Sequence, residues 1–120
     1  MRVESVRLET ATYEVAGTPV IDVSGEIDVY SAPELKSAIN KAIDSGAANL
    51  IVDLADVGYM DSSGFGILLG ATKRLRPKGG RINLVGCGEG IERMLRITGM
   101  DTVFGLFPNV EGAVDSLEQE

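Results

Sequence analysis

The sequence predicts an α/β fold: a mixed, mainly parallel sheet of about five strands flanked by about four helices, with an N-terminal hairpin. Two observations predict this fold. Short apolar runs of strand length alternate with segments whose apolar residues recur every three or four positions. Glycine and proline mark most of the boundaries between them. Such alternation gives parallel strands joined by right-handed crossovers, and we assign residues 1–120 to a single domain of this kind.

The predicted strands begin with two in succession. Residues 3–15 and 18–25 favour strands and are separated by an Ala-Gly turn, so they form the hairpin. Residues 50–54, Leu-Ile-Val-Asp-Leu, are almost continuously apolar, which is typical of a central strand buried on both faces. Residues 81–85 predict a fourth strand, and residues 103–107 predict a short edge strand.

Four helices are predicted between and after the later strands. The first has Ser31 at its start and Glu34 three residues on, which predicts a capping box. The second begins after Asp61 and stops at Pro77, and the third covers residues 89–98. The side chains expected to face the core are Leu35, Ala38, Ile39, Ala42 and Ile43, then Phe65, Leu68, Leu69, Thr72 and Leu75, then Ile91, Met94, Leu95 and Thr98, and in the closing helix Val110, Ala113, Val114 and Leu117.

Composition argues against several classes of function. The chain has no histidine and one cysteine, so it lacks an imidazole for general-base catalysis or metal binding. We expect Cys87, between two glycines, to be a half-buried structural thiol. No apolar stretch approaches the ~20 residues of a membrane span, and residues 1–10 are too charged for a signal peptide. We therefore predict a cytoplasmic protein with no membrane partner, no metal and no cofactor.

The net charge of −7 argues against a nucleic-acid partner, which requires clustered cations to neutralise phosphates. Five basic residues do lie close together in the sequence: Lys73, Arg74, Arg76, Lys78 and Arg81. Cations are favoured at the C-terminal end of a helix, so we interpret this cluster as the solvated end of the second helix rather than as an anion-binding patch.

The segment between the third strand and the second helix carries more polar groups than folding needs. A loop at this end of a parallel strand meets the positive end of the next helix, where ligands and modifications gather. Capping requires only one of Asp61, Ser62 and Ser63. Three glycines then interrupt the helical pattern: Gly64, Gly66 and Gly70. Each costs about 1 kcal/mol relative to alanine. The bare side predicts either close packing on the sheet, which the pattern slightly favours, or a smooth surface for a partner's backbone.

A second acidic segment, Gly-Glu-Ile-Asp at residues 25–28, ends the second strand. If that strand lies parallel to the third, the segment lies beside Ser62, and three carboxylates surround the two serines: those of Glu26, Asp28 and Asp61. Acidic side chains are also favourable near any helix N-terminus, which is a purely structural explanation.

These residues carry a resemblance to a known family. Residues 61–70, Asp-Ser-Ser-Gly-Phe-Gly-Ile-Leu-Leu-Gly, closely resemble the phosphorylation motif of anti-sigma-factor antagonists, the small STAS-domain proteins of bacterial partner switching. Residues 25–28 resemble the family's Gly-Glu-apolar-Asp motif, and the likeness covers essentially the whole chain. Phe65 stands where the family usually has leucine, and Val29-Tyr30 lie where it varies widely, so the partner's identity stays open.

The resemblance implies a binding switch and no enzyme. It implies that the unmodified form binds an anti-sigma factor that is a serine kinase, and so releases a sigma factor. Phosphorylation of Ser62, the first serine after the motif's aspartate, would end binding, and a serine phosphatase would restore it. The partner-binding residues predicted on this basis are Asp28, Asp61, Ser63, Gly64 and Gly66.

Three other functions have less support. A hydrolase would need an imidazole, a Gly-x-Ser-x-Gly turn or a lysine near Ser62 in sequence, and none is present. A nucleotide-binding module would place phosphate among repelling aspartates without a glycine-rich phosphate loop. A STAS subunit of a larger assembly, such as a stress-sensing scaffold or a lipid-transport complex, keeps the fold and changes the role. The free-standing length and the intact Asp-Ser-Ser-Gly favour the simple antagonist.

Overall fold

A computed structural model describes residues 7–118 of the chain. Its strands are β1 (Glu9–Val15), β2 (Thr18–Ile27), β3 (Leu50–Met60), β4 (Ile82–Val85) and β5 (Gly105–Phe107). Its α-helices are α1 (Ala32–Asp44), α2 (Ser62–Leu75), α3 (Glu89–Thr98) and α4 (Val110–Glu118). The strands form one sheet in the order β1-β2-β3-β4-β5. β1 pairs antiparallel with β2 and the other pairs are parallel, so the predicted mixed sheet with its hairpin is confirmed.

The central strand β3 is longer than predicted. It continues past residue 54 to Met60 and pairs with β2 from Val20↔Ile51 to Ile27↔Met60. The register between the two strands shifts twice along the way. These irregularities break the two-residue alternation of buried side chains, because Val57 and Met60 are both buried although three positions apart. The second half of the strand therefore has no periodic pattern of apolar residues from which it could be predicted.

The sheet is covered on both faces. Helices α1, α2 and α3 contribute to the larger core, whose fully buried side chains include Ile21, Leu35, Ile39, Leu54, Leu68, Leu75, Leu84 and Leu95. Burying a side chain of this size stabilises the fold by about 1.5–3 kcal/mol. Helix α4 covers the other face with Ala113 and Val114 against Val20, Ile51 and Val85. The core thus fixes β2 and β3 side by side at the centre of the molecule.

Several sequence-based boundaries were wrong. Strand β1 begins at Glu9, so it does not include residues 7 and 8, whereas residues 3–6 of the predicted first strand lie outside the described residues. Strand β5 begins at Gly105 rather than at residue 103, after a 3₁₀ turn at Met100–Thr102. In α3 only Ile91 and Leu95 are buried, whereas Met94 and Thr98 are exposed. This ten-residue helix therefore buries only two side chains, spaced four positions apart.

Candidate functional site

The two segments that the sequence singled out lie next to each other at the C-terminal ends of β2 and β3. Ile27 is the register partner of Met60, and the backbone N–H of Asp61 donates a hydrogen bond of 3.1 Å to the Ile27 carbonyl. We call residues 28–31, between β2 and α1, the first connection. We call residues 61–63, which lead from β3 into α2, the second connection. The parallel pairing brings the two together, as expected.

The second connection leaves a serine hydroxyl open. Asp61 is the N-cap of α2, with extended backbone, and its Oδ1 accepts a hydrogen bond of 2.8 Å from the N–H of Ser63. Ser62, the first residue of the helix, is exposed, and its hydroxyl forms no hydrogen bond with the described part of the chain. Ser63 is half-buried. Of the two serines, Ser62 is therefore the more accessible to another protein.

The first connection contains similar residues but is closed on itself. Asp28 Oδ1 accepts 2.9 Å hydrogen bonds from the N–H groups of Tyr30 and Ser31. The Ser31 hydroxyl accepts from the Asp28 N–H at 3.0 Å and donates to the Glu26 carbonyl at 2.8 Å. The hydrogen bond from the Ser31 N–H, more than any other cause, lowers the pKa of the Asp28 carboxyl below its usual range.

The predicted capping box at the start of α1 is wrong for the same reason. Ser31 has helical backbone angles and its side chain forms no capping hydrogen bond. The Asp28 carbonyl accepts from the N–H of Ala32 at 2.8 Å. Asp28 therefore accepts from the Ser31 N–H, the contact that the sequence pattern assigned to Glu34, and the Glu34 N–H donates to the Ser31 carbonyl at 2.9 Å instead of to its hydroxyl. Its carboxylate is engaged within the chain.

The glycines divide into two groups. Gly25 has φ +109°, and a Cβ there would collide with the backbone of Arg7, so only glycine fits where the N-terminal segment crosses β2. Gly64 is buried, and a Cβ on it would collide with Met60 and Ile27. The prediction of Gly64 as a direct partner contact does not agree with this burial, because close packing against the sheet removes it from the surface.

Gly66 and Gly70 behave in the opposite way. Both are exposed, and an added Cβ would meet nothing within 4 Å at either position. The expectation of close packing is therefore wrong for these two residues, and the alternative of a smooth surface is correct. They form the floor of a groove of about 370 Å³ between α1 and α2. Its lining includes Lys36, Asn40, Ser62, Gly66, Gly70 and Arg74, and we call it the glycine groove.

Side chains that the sequence analysis did not assign to the site surround it. Arg74 lies in the glycine groove and binds Asn40 Oδ1 at 2.8 Å and Asp44 Oδ1 at 2.9 Å, which ties α2 to α1. Tyr30 in the first connection is 90% exposed, and Tyr59 beside the second is 51% exposed. The sequence signal that could have identified Tyr30 as a site residue is its position, as a lone aromatic residue between an acidic turn and the start of a helix.

The remaining candidates from the sequence do not join the site. Cys87 is half-buried, as expected, and burial, followed by the nearby Glu92, raises its pKa to about 11. Of the basic cluster, Arg74 binds α1, the Lys78 ammonium donates to the Ala47 carbonyl and Arg81 donates to the Ser116 hydroxyl. Within residues 7–118 there is no group of three or more metal-ligating side chains, and no helix is long and apolar enough to span a bilayer.

Comparisons with known proteins identify the family. Residues 9–113 match the STAS domain. The chain belongs to the STAS domain family. The anti-sigma-B factor antagonist of Bacillus subtilis (strain 168) is 37% identical over 94 residues, which are 78% of this chain and 85% of that protein. STAS-domain identity and the resemblance seen in the sequence therefore agree.

Solved structures of STAS-family antagonists share this fold. The crystal structure of an anti-sigma factor antagonist from Mycobacterium paratuberculosis superposes with a TM-score of 0.86 at 30% identity, covering 93% of this chain and 95% of that one. The Bacillus cell fate determinant SpoIIAA in its phosphorylated form superposes with a TM-score of 0.73 at 25% identity, covering 91% of this chain and 99% of that one. A phosphorylated relative therefore has the same architecture.

Proposed function

We propose that this STAS protein is an anti-sigma factor antagonist whose binding is switched by phosphorylation of Ser62. Unphosphorylated, it binds an anti-sigma factor that is a serine kinase, and so frees a sigma factor. Phosphorylation by the kinase ends the complex, and a serine phosphatase restores the binding form. The observation that carries the proposal is the exposed hydroxyl of Ser62 at the start of α2, which has no hydrogen-bond partner among residues 7–118, in a chain 37% identical to an anti-sigma-B factor antagonist.

The partner surface that we propose combines the second connection with the groove beside it. Asp61 holds the backbone of Ser63, and Gly66 provides a floor that a partner's main chain can approach closely. Asp28 contributes by shaping the first connection, which presents Tyr30 to solvent. Gly64 acts indirectly by letting α2 pack closely on Met60.

Electrostatics supports a switch at this position. A phosphate adds about −1.5 to −2 charges and three strong acceptor oxygens. At the positive end of α2 this charge is tolerated by the fold. On the contact surface it lies beside Asp61, and a partner fitted to a neutral hydroxyl must then desolvate a dianion. The cost falls on the complex rather than on the chain itself.

The proposed role is non-catalytic and cytoplasmic, without a nucleic-acid or membrane partner. Three side chains of the basic cluster are engaged within the chain, since Arg74 binds Asn40, Lys78 binds the Ala47 carbonyl and Arg81 binds Ser116. The net charge of −7 also opposes phosphate-backbone binding. A role inside a larger STAS assembly is the second candidate, and size-exclusion chromatography of the native extract distinguishes it by apparent mass.

Phosphosite mapping tests the proposal. Partners captured from the native cytoplasm by the unmodified chain are identified by mass spectrometry, purified and incubated with the chain and ATP. We expect one phosphate, at Ser62, and release of the kinase. Ser62→Ala should remain unmodified, and the matched Ser63→Ala variant should be phosphorylated to normal stoichiometry. Full modification at Ser63 in the Ser62→Ala protein would refute the assignment of the switch residue.

A further inference from the structure

A lysine lies in the same groove as the proposed phosphate. Lys36 of α1 and Ser62 of α2 both line the glycine groove. We propose that Lys36 is the internal counterion of phosphorylated Ser62, and that its side chain covers Gly66 when it pairs with the phosphate. The inference rests on the proposed function for the phosphate itself and adds a regulatory contact within the chain.

The arrangement of the two helices directs Lys36 toward Ser62. Both helices follow parallel strands, so their N-terminal ends lie at the same edge of the sheet. The contacts of Arg74 with Asn40 and Asp44 fix how the helices are aligned along their axes. Side chains on a helix lean toward its N-terminus. Lys36, one turn into α1, therefore leans toward the end of the groove that contains Ser62.

The floor of the groove has no side chain at Gly66, one turn from Ser62. Gly66 is four positions after Ser62, about 6 Å along the axis of α2. An added Cβ at Gly66 has no neighbour within 4 Å, so the floor of the groove is open there. Lys36 extends from α1 and Ser62 from α2 into one groove, so a flexible lysine side chain and a phosphoserine share the same space.

Charge selects Lys36 over the other cation in the groove. Arg74 already binds Asp44 and is twelve residues from Ser62, about 18 Å along the helix. Lys36 forms no ion pair or hydrogen bond with the described residues. Carboxylates are numerous at this end of the molecule, at Glu26, Asp28, Glu34 and Asp61, and the backbone of Arg7 lies against Gly25, outside the lining of the glycine groove. Within the groove, a dianion at Ser62 therefore meets one positive charge that no described residue engages, that of Lys36.

Pairing has two effects on the switch. The ammonium offsets part of the repulsion between the phosphate and Asp61, which keeps the phosphorylated form stable. The methylene stem of Lys36 lies over Gly66 and removes the smooth floor that the partner uses. Phosphorylation then blocks the surface by steric cover as well as by charge.

The test measures the second pKa of the phosphate by ³¹P NMR. The sample is the full chain with phosphoserine encoded at position 62. Encoding the phosphoserine makes this measurement independent of any kinase. We expect Lys36→Met to raise that pKa by about 0.3–0.7 units, the size of an exposed ion pair, and high salt to shrink the difference. Lys41→Met, on the same helix but outside the glycine groove, should leave the pKa unchanged. Lys36→Arg should retain most of the wild-type value.

The outcomes separate this inference from the proposed function. Equal phosphate pKa values in wild type, Lys36→Met and Lys41→Met would overturn the counterion even if a kinase modifies Ser62. A raised value in Lys36→Met alone supports it even if the native kinase modifies another residue. Because Lys36 is exposed, we expect the variant to fold, and Lys36→Gln with an amide fingerprint spectrum provides a second test of the same contact. The Gly66 amide shift should respond to phosphorylation less in either variant than in wild type.

Discussion

The first and second connections are built from the same residue types and use them in opposite ways. Each follows a parallel strand of the sheet, and each has an aspartate that accepts hydrogen bonds from backbone N–H groups of residues just after it. In the first, the serine hydroxyl is used twice, once as donor and once as acceptor. In the second, the Ser62 hydroxyl is left without a partner among the described residues.

The difference teaches which serine is available for chemistry. A hydroxyl that holds two backbone groups together cannot be modified without breaking the turn, whereas one that faces solvent at a helix start can. Ser31 is therefore structural and Ser62 is free to be functional, although both occupy the start of a helix after an acidic residue. The variants below break or sharpen this contrast, from the largest expected effect to the smallest.

Phosphorylation of Ser62 should have the largest effect. We expect it to weaken binding to the anti-sigma factor at least ~100-fold, about 2.7 kcal/mol, because the partner must desolvate a dianion beside Asp61. Ser62→Asp should have a smaller effect, since one carboxylate carries less charge. Calorimetric titration of each form with the purified partner measures both.

Amide chemical shifts provide the control for that loss of binding. On phosphorylation, the shifts should change at residues 25–28 and 61–70 and remain nearly constant at residues 103–117. Changes spread across the sheet and α4 would show that the switch refolds the protein, which contradicts a local mechanism.

Ser31→Ala should destabilise the fold by about 1–3 kcal/mol, because it leaves the Asp28 N–H and the Glu26 carbonyl without their partner. Ser62→Ala is the matched control and should change the free energy of unfolding by less than about 0.5 kcal/mol. Urea denaturation of the two variants measures the difference. Similar losses in both would remove the distinction between the connections.

Asp61→Ala should cost about 1 kcal/mol of stability, since α2 loses the side chain that accepts from the Ser63 N–H. Asp61→Asn should retain most of it, because asparagine is an equally good N-cap. If both variants lost the same stability, the charge rather than the hydrogen bond would be responsible. Thermal unfolding at neutral pH is sufficient to decide.

The smallest expected effect is on how the stability of the fold depends on pH in the acid range. The pKa of Asp28 is lowered in the folded chain by the backbone N–H groups it binds, Ser31 first, so its contribution to stability is present above about pH 4 and disappears as the pH falls through the lowered value. Asp28→Asn should therefore be less stable than wild type at pH 7 and approach it in acid.

Asp22 is a control of opposite sign. Burial, then the neighbouring Asp53 and Asp56, raises its pKa, so its charged form is unfavourable in the fold. Asp22→Asn should be more stable than wild type at pH 7, and this gain should fade as the pH falls through the raised pKa of Asp22 and be gone by about pH 4. Unfolding curves from pH 2 to 7 measure both variants, and a gain of the same sign for both would contradict the assignment.

The sequence predicted where the site lies better than how it is held together. The sequence analysis placed residues 25–28 beside the start of α2 on the condition that the second and third strands pair in parallel, and the structure meets that condition. The prediction that Ser31 and Glu34 form a capping box was wrong because a capping box is a local pattern. Asp28 lies outside that pattern and accepts the hydrogen bond of the Ser31 N–H. Met94 was misplaced because helical spacing does not reveal how wide a strip its neighbours cover.

The glycines of α2 show a limit of a different kind. One pattern contained a glycine required by contact with Met60 and Ile27, and two whose added Cβ would meet none of residues 7–118. The positions of β2 and β3 therefore distinguish Gly64 from Gly66 and Gly70. Because the last two are not explained by packing, their cost in helix stability is the structural argument for an external partner.

The unequal lengths of the strands have a consequence for motion. β4 pairs with β3 only as far as Asp53↔Val85, whereas β2 continues beside β3 to Met60. The tip of the β2–β3 ribbon, which carries both connections, can therefore open without breaking the ladder between β3 and β4. In hydrogen exchange this tip would form its own cooperative unit, with an opening free energy below that of global unfolding.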